Sequence, residues 1–266
     1  MEFWKYQGAG NDFVMVDDRR NDFDENNQCL IEKLCDRRFG IGADGLILLR
    51  VGKNNQLEMV YFNSDGRQSS MCGNGGRCFA SFANFLGLVK NKKLTFLAID
   101  GLHDSIIDED LVNLKMMDVK NIEQIGKDYY LDTGSPHYVS SINELSQIDI
   151  IKEAHNIRYN SRFEEKGTNV NFVKFGGDVI ELRTYERGVE NETLACGTGV
   201  TAVALVAELI GENTGDGKST LKAQGGNLEV SYNREKEGFK DIWLKGSAVQ
   251  VYKGEIDLES NSLLSK

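Results

Sequence analysis

The 266-residue chain has one proline, Pro136, three scattered histidines and no Cys-x-x-Cys pair. Its five cysteines, at 29, 35, 72, 78 and 196, form an odd set, a poor disulfide framework that implies reduced thiols. With His103, His137 and His155 far apart, neither a structural nor a catalytic zinc site can be read, and no metal is expected. No stretch approaches the roughly 18 apolar residues of a membrane span. The opening Met-Glu-Phe-Trp-Lys-Tyr-Gln-Gly lacks a secretory apolar run, so a cytoplasmic protein is expected. Positive charge is in the minority, with 31 Lys and Arg against 41 Asp and Glu and a net charge of −10. That balance argues against nucleic acid and anionic membranes as partners.

What is present is glycine, 28 residues of it, with no Gly/Ser linker tract to account for the excess. Alternating apolar residues predict strands at 13–16, 46–49, 58–63, 94–99, 111–117, 170–175, 179–185, 227–232 and 241–244. Helical spacing appears at Cys29–Arg38, Gly75–Leu86 and Gly199–Ile210. The last two are apolar on almost every side, which predicts helices enclosed by sheet. Many strands around few buried helices mean an α+β fold.

The chain also repeats itself. Cys72-Gly73-Asn74-Gly75 opens one buried helix and Cys196-Gly197-Thr198-Gly199 the other, each after a strand and a polar turn. Upstream, Gly8–Val14 finds an echo in Gly167–Val173, each running from glycine and asparagine into Phe-Val. The helix at 29–38 falls in extra length of the first half. Two related lobes follow, 1–119 carrying Cys72 and 120–250 carrying Cys196, with their Cys-Gly-x-Gly turns expected face to face. Residues 251–266 are expected to form a strand that returns to the first lobe, and a tail frayed from about Asp257.

A helix opening carries unpartnered N–H groups and partial positive charge, so two such openings would hold a small carboxylate. Glycines let the ligand approach the backbone. A cysteine in that setting becomes more acidic and can act as a base. Two thiols on opposite sides of one carbon can invert it: one thiolate removes the Cα proton while the other thiol delivers a new one. The enediolate charge would be met by the helix amides in a site free of water. Coupled titration keeps one proton on the pair, and no cofactor is needed. A lone cysteine at a helix start is more often packing, and it is the repetition of Cys-Gly-x-Gly that carries the functional reading. Cys29, Cys35 and Cys78 lack that setting and are expected to pack. Neither turn matches a P-loop or dinucleotide fingerprint.

Several separated motifs, Lys5–Phe13, Gly40–Gly45, Met71–Cys78, Gly134–His137, Gly167–Val170 and Tyr185–Gly199, together resemble the diaminopimelate epimerase family over nearly the whole chain. The resemblance implies two pseudo-symmetric lobes, each a mainly antiparallel sheet wrapped around a buried helix, with the site in the cleft between them. It implies pyridoxal-independent epimerisation of LL- to meso-diaminopimelate, in lysine and peptidoglycan precursor synthesis, with Cys72 and Cys196 as acid and base. The amides of Gly73, Asn74, Gly197 and Thr198 would hold the reacting carboxylate. Asn11, Asn63, Asn169 and Arg187 would hold the distal amino-acid head, and Glu186 would face the ammonium and, with His137, tune the thiols. An Arg fork suits a carboxylate, although Glu186 and Arg187 taken alone also read as a surface ion pair. Two positions depart from the pattern of some relatives: Ser135 stands for asparagine and Gly45 for glutamine, both at substrate contacts. The implied partner is the small-molecule substrate, and a homodimer is compatible with the likeness. A racemase of single-headed amino acids such as histidine, and a non-catalytic amino-acid-binding protein, are the competing readings.

Overall fold

The structure is a computed structural model that describes residues 1–69 and 71–258; from residue 259 on, the expected frayed tail lies outside the described residues. The chain divides into two compact units, Met1–Leu114 with Ser247–Lys266, and Lys115–Gly246. The polar turn at Asp118–Asn121, where the sequence pattern places the lobe boundary, lies inside the second unit.

In the first unit, β1 (Glu2–Gly8), β2 (Asn11–Asp17), α1 (Gln28–Cys35), β3 (Gly45–Val51), β4 (Leu57–Asn63), α2 (Gly73–Phe85), β5 (Lys93–Ala98), β6 (Gly101–Asp108) and β7 (Leu111–Lys115) follow in order. Successive strands pair in the sense antiparallel, parallel, antiparallel, parallel, antiparallel, antiparallel. The parallel pairs β2/β3 and β4/β5 fall where a helix intervenes, because parallel neighbours need a crossover that a tight turn cannot supply.

The second unit contains β8 (Ile122–Ile125), β9 (Asp128–Asp132), β10 (Pro136–Ser141), α3 (Ile150–Arg158), β11 (Asn169–Lys174), β12 (Ile180–Glu186), β13 (Asn191–Thr193), α4 (Gly197–Ile210), β14 (Lys218–Ala223), β15 (Gly226–Arg234) and β16 (Phe239–Ser247). From β9 its pairings run antiparallel, parallel, antiparallel, parallel, antiparallel, antiparallel, the same series again. An additional antiparallel strand flanks each series: β8 on β9, and β17 (Val249–Glu255) on β1. Each series is therefore mixed, with antiparallel pairs in the majority.

This order corrects two sequence readings. Helix α3 occupies in the second unit the place of α1 in the first, so α1 is not an insertion. The polarity of α3 conceals it in the sequence: only Ile150 and Ala154 are buried, too few for a strong apolar stripe, although Asp149 caps the helix by accepting from the Lys152 N–H. The echo between Gly8–Val14 and Gly167–Val173 also pairs non-equivalent strands. β2 corresponds to β10, and β11 to β3.

Helices α2 and α4 are buried because of what they carry. In α2, Phe79 packs on Phe96 at 4.8 Å between ring centres, and Phe82 lies 5.1 Å from Trp4. Each such ring contributes about 1.5–3 kcal/mol by leaving water. In α4 every residue from Gly199 to Ala207 is buried. Gly211, at φ 77°, ends α4 in the left-handed conformation that a Cβ disfavours. Cys35 and Cys78 are packed as expected, but Cys29, in α1, is exposed.

Candidate active site

Cys72 and Cys196 are the N-caps of α2 and α4, both with extended backbone (φ −101°, ψ 128° and φ −117°, ψ 111°) and neither giving a side-chain cap to its helix. Each thiol therefore sits beside a helix opening with its partial positive charge.

In the first unit, Asn11 stands at the start of β2 and reaches the Cys72 turn. Its Oδ1 lies 3.6 Å from Cys72 Sγ and accepts from Asn74 Nδ2 at 3.4 Å, while its own Nδ2 donates to Asp44 at 2.6 Å. Asp44 is held by Arg37 at 2.7 Å, and Arg37 also pairs with Asp12 at 2.6 Å. Lys5 lies 2.8 Å from Asp12. Burial would raise the Asp12 pKa, but hydrogen bonds from Arg37 and Lys5 outweigh it and hold the carboxyl at about 2. This ion cluster fixes the strand end from which Asn11 projects. Asn63 lies exposed at the end of β4, and no hydrogen bond of its side chain is found among the described residues.

In the second unit, His137 is fully buried on β10 with both ring nitrogens engaged. Nδ1 lies 3.1 Å from Asn171 Nδ2 and Nε2 lies 2.9 Å from Thr198 Oγ1. The Asn171 amide is oriented by its other bonds, donating to the Tyr138 carbonyl at 3.0 Å and accepting from Thr184 Oγ1 at 2.9 Å. Nδ1 is thus the acceptor and Nε2 carries the hydrogen, which it donates to Thr198. The Thr198 hydroxyl is 3.4 Å from Cys196 Sγ. Burial, with Arg187 adding to it, lowers the His137 pKa to about 3, so the ring is neutral at neutral pH.

Asn169 opens β11. Its Oδ1 accepts from the Arg187 N–H at 2.8 Å, and its Nδ2 donates to Ser135 Oγ at 2.7 Å. Glu186 is half-buried at the end of β12 and Arg187 follows it, exposed, donating to the Lys166 carbonyl at 2.8 Å. No carboxylate pairs with Arg187 among the described residues. Gly167 is required beside it: φ is +73°, and a Cβ there would come within 2.6 Å of Arg187 Cδ. The turn is stapled by Glu190, which accepts from Tyr185 at 2.7 Å, Tyr159 at 2.9 Å and the Gly188 N–H at 3.1 Å. Burial opposes its ionisation, but these donors and Arg158 hold its carboxyl at about 2.

Strand register shows which residues correspond between the units. Phe13 pairs with Gly45 across β2/β3, and His137 with Asn169 across β10/β11. Gly45 faces Asn63 on β4, and Asn169 is one step beyond Val170, which faces Tyr185, the residue before Glu186. A Cβ on Gly75 would touch Phe13, and one on Gly199 would touch His137. The repeat thus places a histidine where the first unit has a phenylalanine, and Asn169 where it has Gly45. Gly45 has no room for a side chain, since a Cβ would lie 2.5 Å from the Phe62 carbonyl.

Sequence reasoning missed Asn171, Thr184 and Asp44, as well as Arg77 inside the quoted Met71–Cys78 motif. A buried polar residue between apolar neighbours in Val170-Asn171-Phe172 was the available signal. His103, 3.0 Å from Asp100, and His155, packed on the Tyr159 and Tyr185 rings, lie in ordinary settings. Among the described residues no cluster of three or more potential metal ligands occurs, and no helix is long and apolar enough to cross a membrane.

The diaminopimelate epimerase family profile matches residues 3–121 and 129–255. The diaminopimelate epimerase of Flavobacterium psychrophilum is 49% identical over 258 residues, covering 96% of this chain and all of the relative. That of Chlorobaculum tepidum is 40% identical, covering 94% of this chain and 99% of the relative. Among solved structures, a phenazine biosynthesis PhzF-family protein of Bacillus anthracis has a TM-score of 0.75 at 14% identity, covering 97% of this chain and 99% of its own. A hydroxyproline epimerase of Agrobacterium vitis has a TM-score of 0.67 at 12% identity, covering 98% and 93%. These distant likenesses show a shared fold, and the full-length matches above 30% identity settle the rest: the chain belongs to the diaminopimelate epimerase family.

Proposed function

We propose that the protein epimerises LL-diaminopimelate to meso-diaminopimelate without a cofactor, in lysine and peptidoglycan precursor synthesis, by two-base proton exchange between Cys72 and Cys196. The observation that carries the mechanism is the doubled helix opening, each capped by a cysteine and followed by glycine, within units whose principal strands pair in the same order. In this reading the lobes close on the substrate with the two sulfurs on opposite faces of one Cα, and the openings of α2 and α4 bind its carboxylate. One thiolate takes the Cα proton, the electron pair passes into the carboxylate as an enediolate, and the opposite thiol returns a proton to the other face.

The second unit holds the groups suited to the unreacting amino-acid head. Arg187 offers a fork for its carboxylate, Glu186 a negative charge for its ammonium, and Asn169 positions the turn that carries both. Asn11 and Asn63 complete this recognition from the first unit, with Ser135 supplying a shorter hydroxyl through Asn169. His137 acts as a neutral donor on Cys196 through Thr198. Five cysteines with no disulfide among the described residues suit the reducing cytoplasm.

Incubation with LL-diaminopimelate in deuterated water tests the reading: deuterium at Cα together with the meso product is expected. Exchange on histidine or other single-headed amino acids but not on diaminopimelate would assign a different racemase. Binding without exchange would leave only an amino-acid-binding protein.

A further inference from the structure

Arg77 is the largest fully buried side chain among the described residues, one turn below the α2 opening. Its guanidinium donates to Asn74 Oδ1 at 2.8 Å, the Gly73 carbonyl at 3.3 Å and the Ser247 carbonyl at 3.5 Å, all of them neutral. No carboxylate pairs with it among the described residues. A buried cation without a counter-charge is costly, so an anion close by would be strongly favoured.

Few groups can supply it. Asp12 and Asp44 are engaged by Lys5 and Arg37. The ionisable groups acting on Arg77 are Cys78 and Cys72. Cys78 is fully buried, and burial pushes its thiol up to about 12, so it stays neutral. Cys72 remains, half-buried at the helix cap and directly before Gly73, whose carbonyl accepts from Arg77; the long 3.6 Å contact in which the Cys72 thiol donates to Asn11 Oδ1 is given up on ionisation. The second unit has no equivalent among the described residues. Thr201, five residues after Cys196 as Arg77 is five after Cys72, merely donates to the Gly197 carbonyl at 3.0 Å. His137 is neutral there, and Arg187 is exposed and screened by solvent.

We infer that Arg77 is the counter-cation of a Cys72 thiolate, a positioning residue that makes Cys72, and not Cys196, the ionised member of the pair in the substrate-free enzyme. Its catalytic meaning rests on the two-cysteine reading above, because it names the thiol that begins as base. Cys196 then begins as the proton donor, and each turnover reverses the assignment.

Alkylation of the full chain by iodoacetamide across pH, with rates resolved peptide by peptide, tests this. The pH midpoint reports ionisation, whereas the plateau rate reports access. Cys72 is expected to have the lower midpoint, below the ordinary thiol value of about 8.5, and Cys196 a higher one. Arg77→Met should raise the Cys72 midpoint by about 1–3 units, with any movement at Cys196 downward because the pair shares one proton, while Arg77→Lys keeps the Cys72 midpoint low. Ultraviolet thiolate absorbance gives a check that needs no change at Arg77: the signal present near neutrality should vanish in Cys72→Ser and survive in Cys196→Ser. A lower midpoint at Cys196, equal midpoints, or a Cys72 profile unmoved in Arg77→Met would overturn the inference. Absence of Cα exchange with normal Cys72 ionisation would instead refute the proposed reaction.

Discussion

Burial of neutral His137 makes the protein lose stability in mild acid. The folded ring titrates at about 3 against an ordinary value of 6.5. Above pH 6.5 neither folded nor unfolded chain holds the extra proton, and the ring contributes no slope. Below it the unfolded chain protonates while the folded one does not, so stability falls until about pH 3 is reached. At pH 5 the difference amounts to about 2 kcal/mol, since each unit of separation is worth about 1.4 kcal/mol. Asp12, held at about 2 from an ordinary 3.8, acts only at lower pH and does not confuse the window. The assay is urea unfolding at pH 7, 6 and 5, followed by the fluorescence of Trp4 and Trp243, one in each unit. His137→Gln supplies the reference, because its amide can still donate toward Thr198 but takes up no proton. The wild-type protein should lose about 2 kcal/mol more than the variant between pH 7 and 5. Equal slopes would show that His137 is not buried as a neutral ring, and would remove the basis for treating it as a donor to Thr198.

Cys72→Ala and Cys196→Ala should each abolish Cα exchange while circular dichroism and melting temperature stay near wild type; substantial epimerisation by either would end the two-base mechanism. Gly199→Ala would place a Cβ 2.5 Å from Asn171 Oδ1 and 3.2 Å from His137 Cε1, whereas Gly75→Ala meets the movable ends of Ile47 and Met59 at 3.1 and 3.2 Å and the Phe13 ring at an ordinary 3.5 Å. Overpacking by about 1–3 kcal/mol against a helix-propensity gain near 1 kcal/mol should make Gly199→Ala destabilised and poorly active and Gly75→Ala nearly neutral by thermal melt and turnover, and equal effects would contradict the packing. Glu190→Gln weakens the staple of the Glu186–Arg187 turn, so KM for diaminopimelate should rise several-fold with less change in kcat. An unchanged KM would show that the turn is positioned by other contacts.

The parts of the fold that could be read in the sequence are those in which chemistry and periodicity coincide. The strands around residues 46–49 and 58–63, and the two glycine-opened helices, are apolar at the positions that face the core, and the paired Cys-Gly-x-Gly turns mark both helix starts. Strands β1, β6 and β14 escaped because charged and polar residues interrupt the alternation, as Lys5 does when it turns inward to Asp12 and the Gly42 carbonyl. The false echo arose from similar residue types: Asn11 and Asn169 both precede a Phe-Val strand, but the first begins the strand before a crossover and the second the strand after it. Only the parallel pairing of β2 with β3 and of β10 with β11 distinguishes them, and pairing is a long-range property. Thr184 was invisible for a related reason, since it matters only once β10, β11 and β12 lie side by side, and Asn171 showed itself only as a polar residue between Val170 and Phe172 with no hint of its partners.

Divergence between the two halves, position by position, has a chemical consequence. In the two-base mechanism proposed above, two identical lobes would surround both thiols identically, and the proton they share would sit on either with equal weight. The repeat keeps the cysteine, the glycines and the strand order, and changes what stands around them: Phe13 against His137, Gly45 against Asn169, and Arg77 against Thr201. On one side a fixed charge lies under the helix opening; on the other a relay of neutral donors runs from Asn171 through His137 and Thr198 to the sulfur. A full charge in a buried setting outweighs one neutral hydrogen bond, so the proton is biased toward Cys196. In the proposed two-base mechanism, Cys72 serves as base in one direction and Cys196 in the other. The relay keeps Cys196 able to ionise once its proton has been given up, so weakening it through Asn171→Ala should slow the direction that needs Cys196 as base. The fixed overall equilibrium forces kcat/KM to fall equally from LL- and meso-diaminopimelate, and the asymmetry therefore has to appear in kcat and in the pH midpoint of Cys196. A variant whose two kcat values fall together, with the Cys196 midpoint unmoved, would show that the relay does not act on the sulfur.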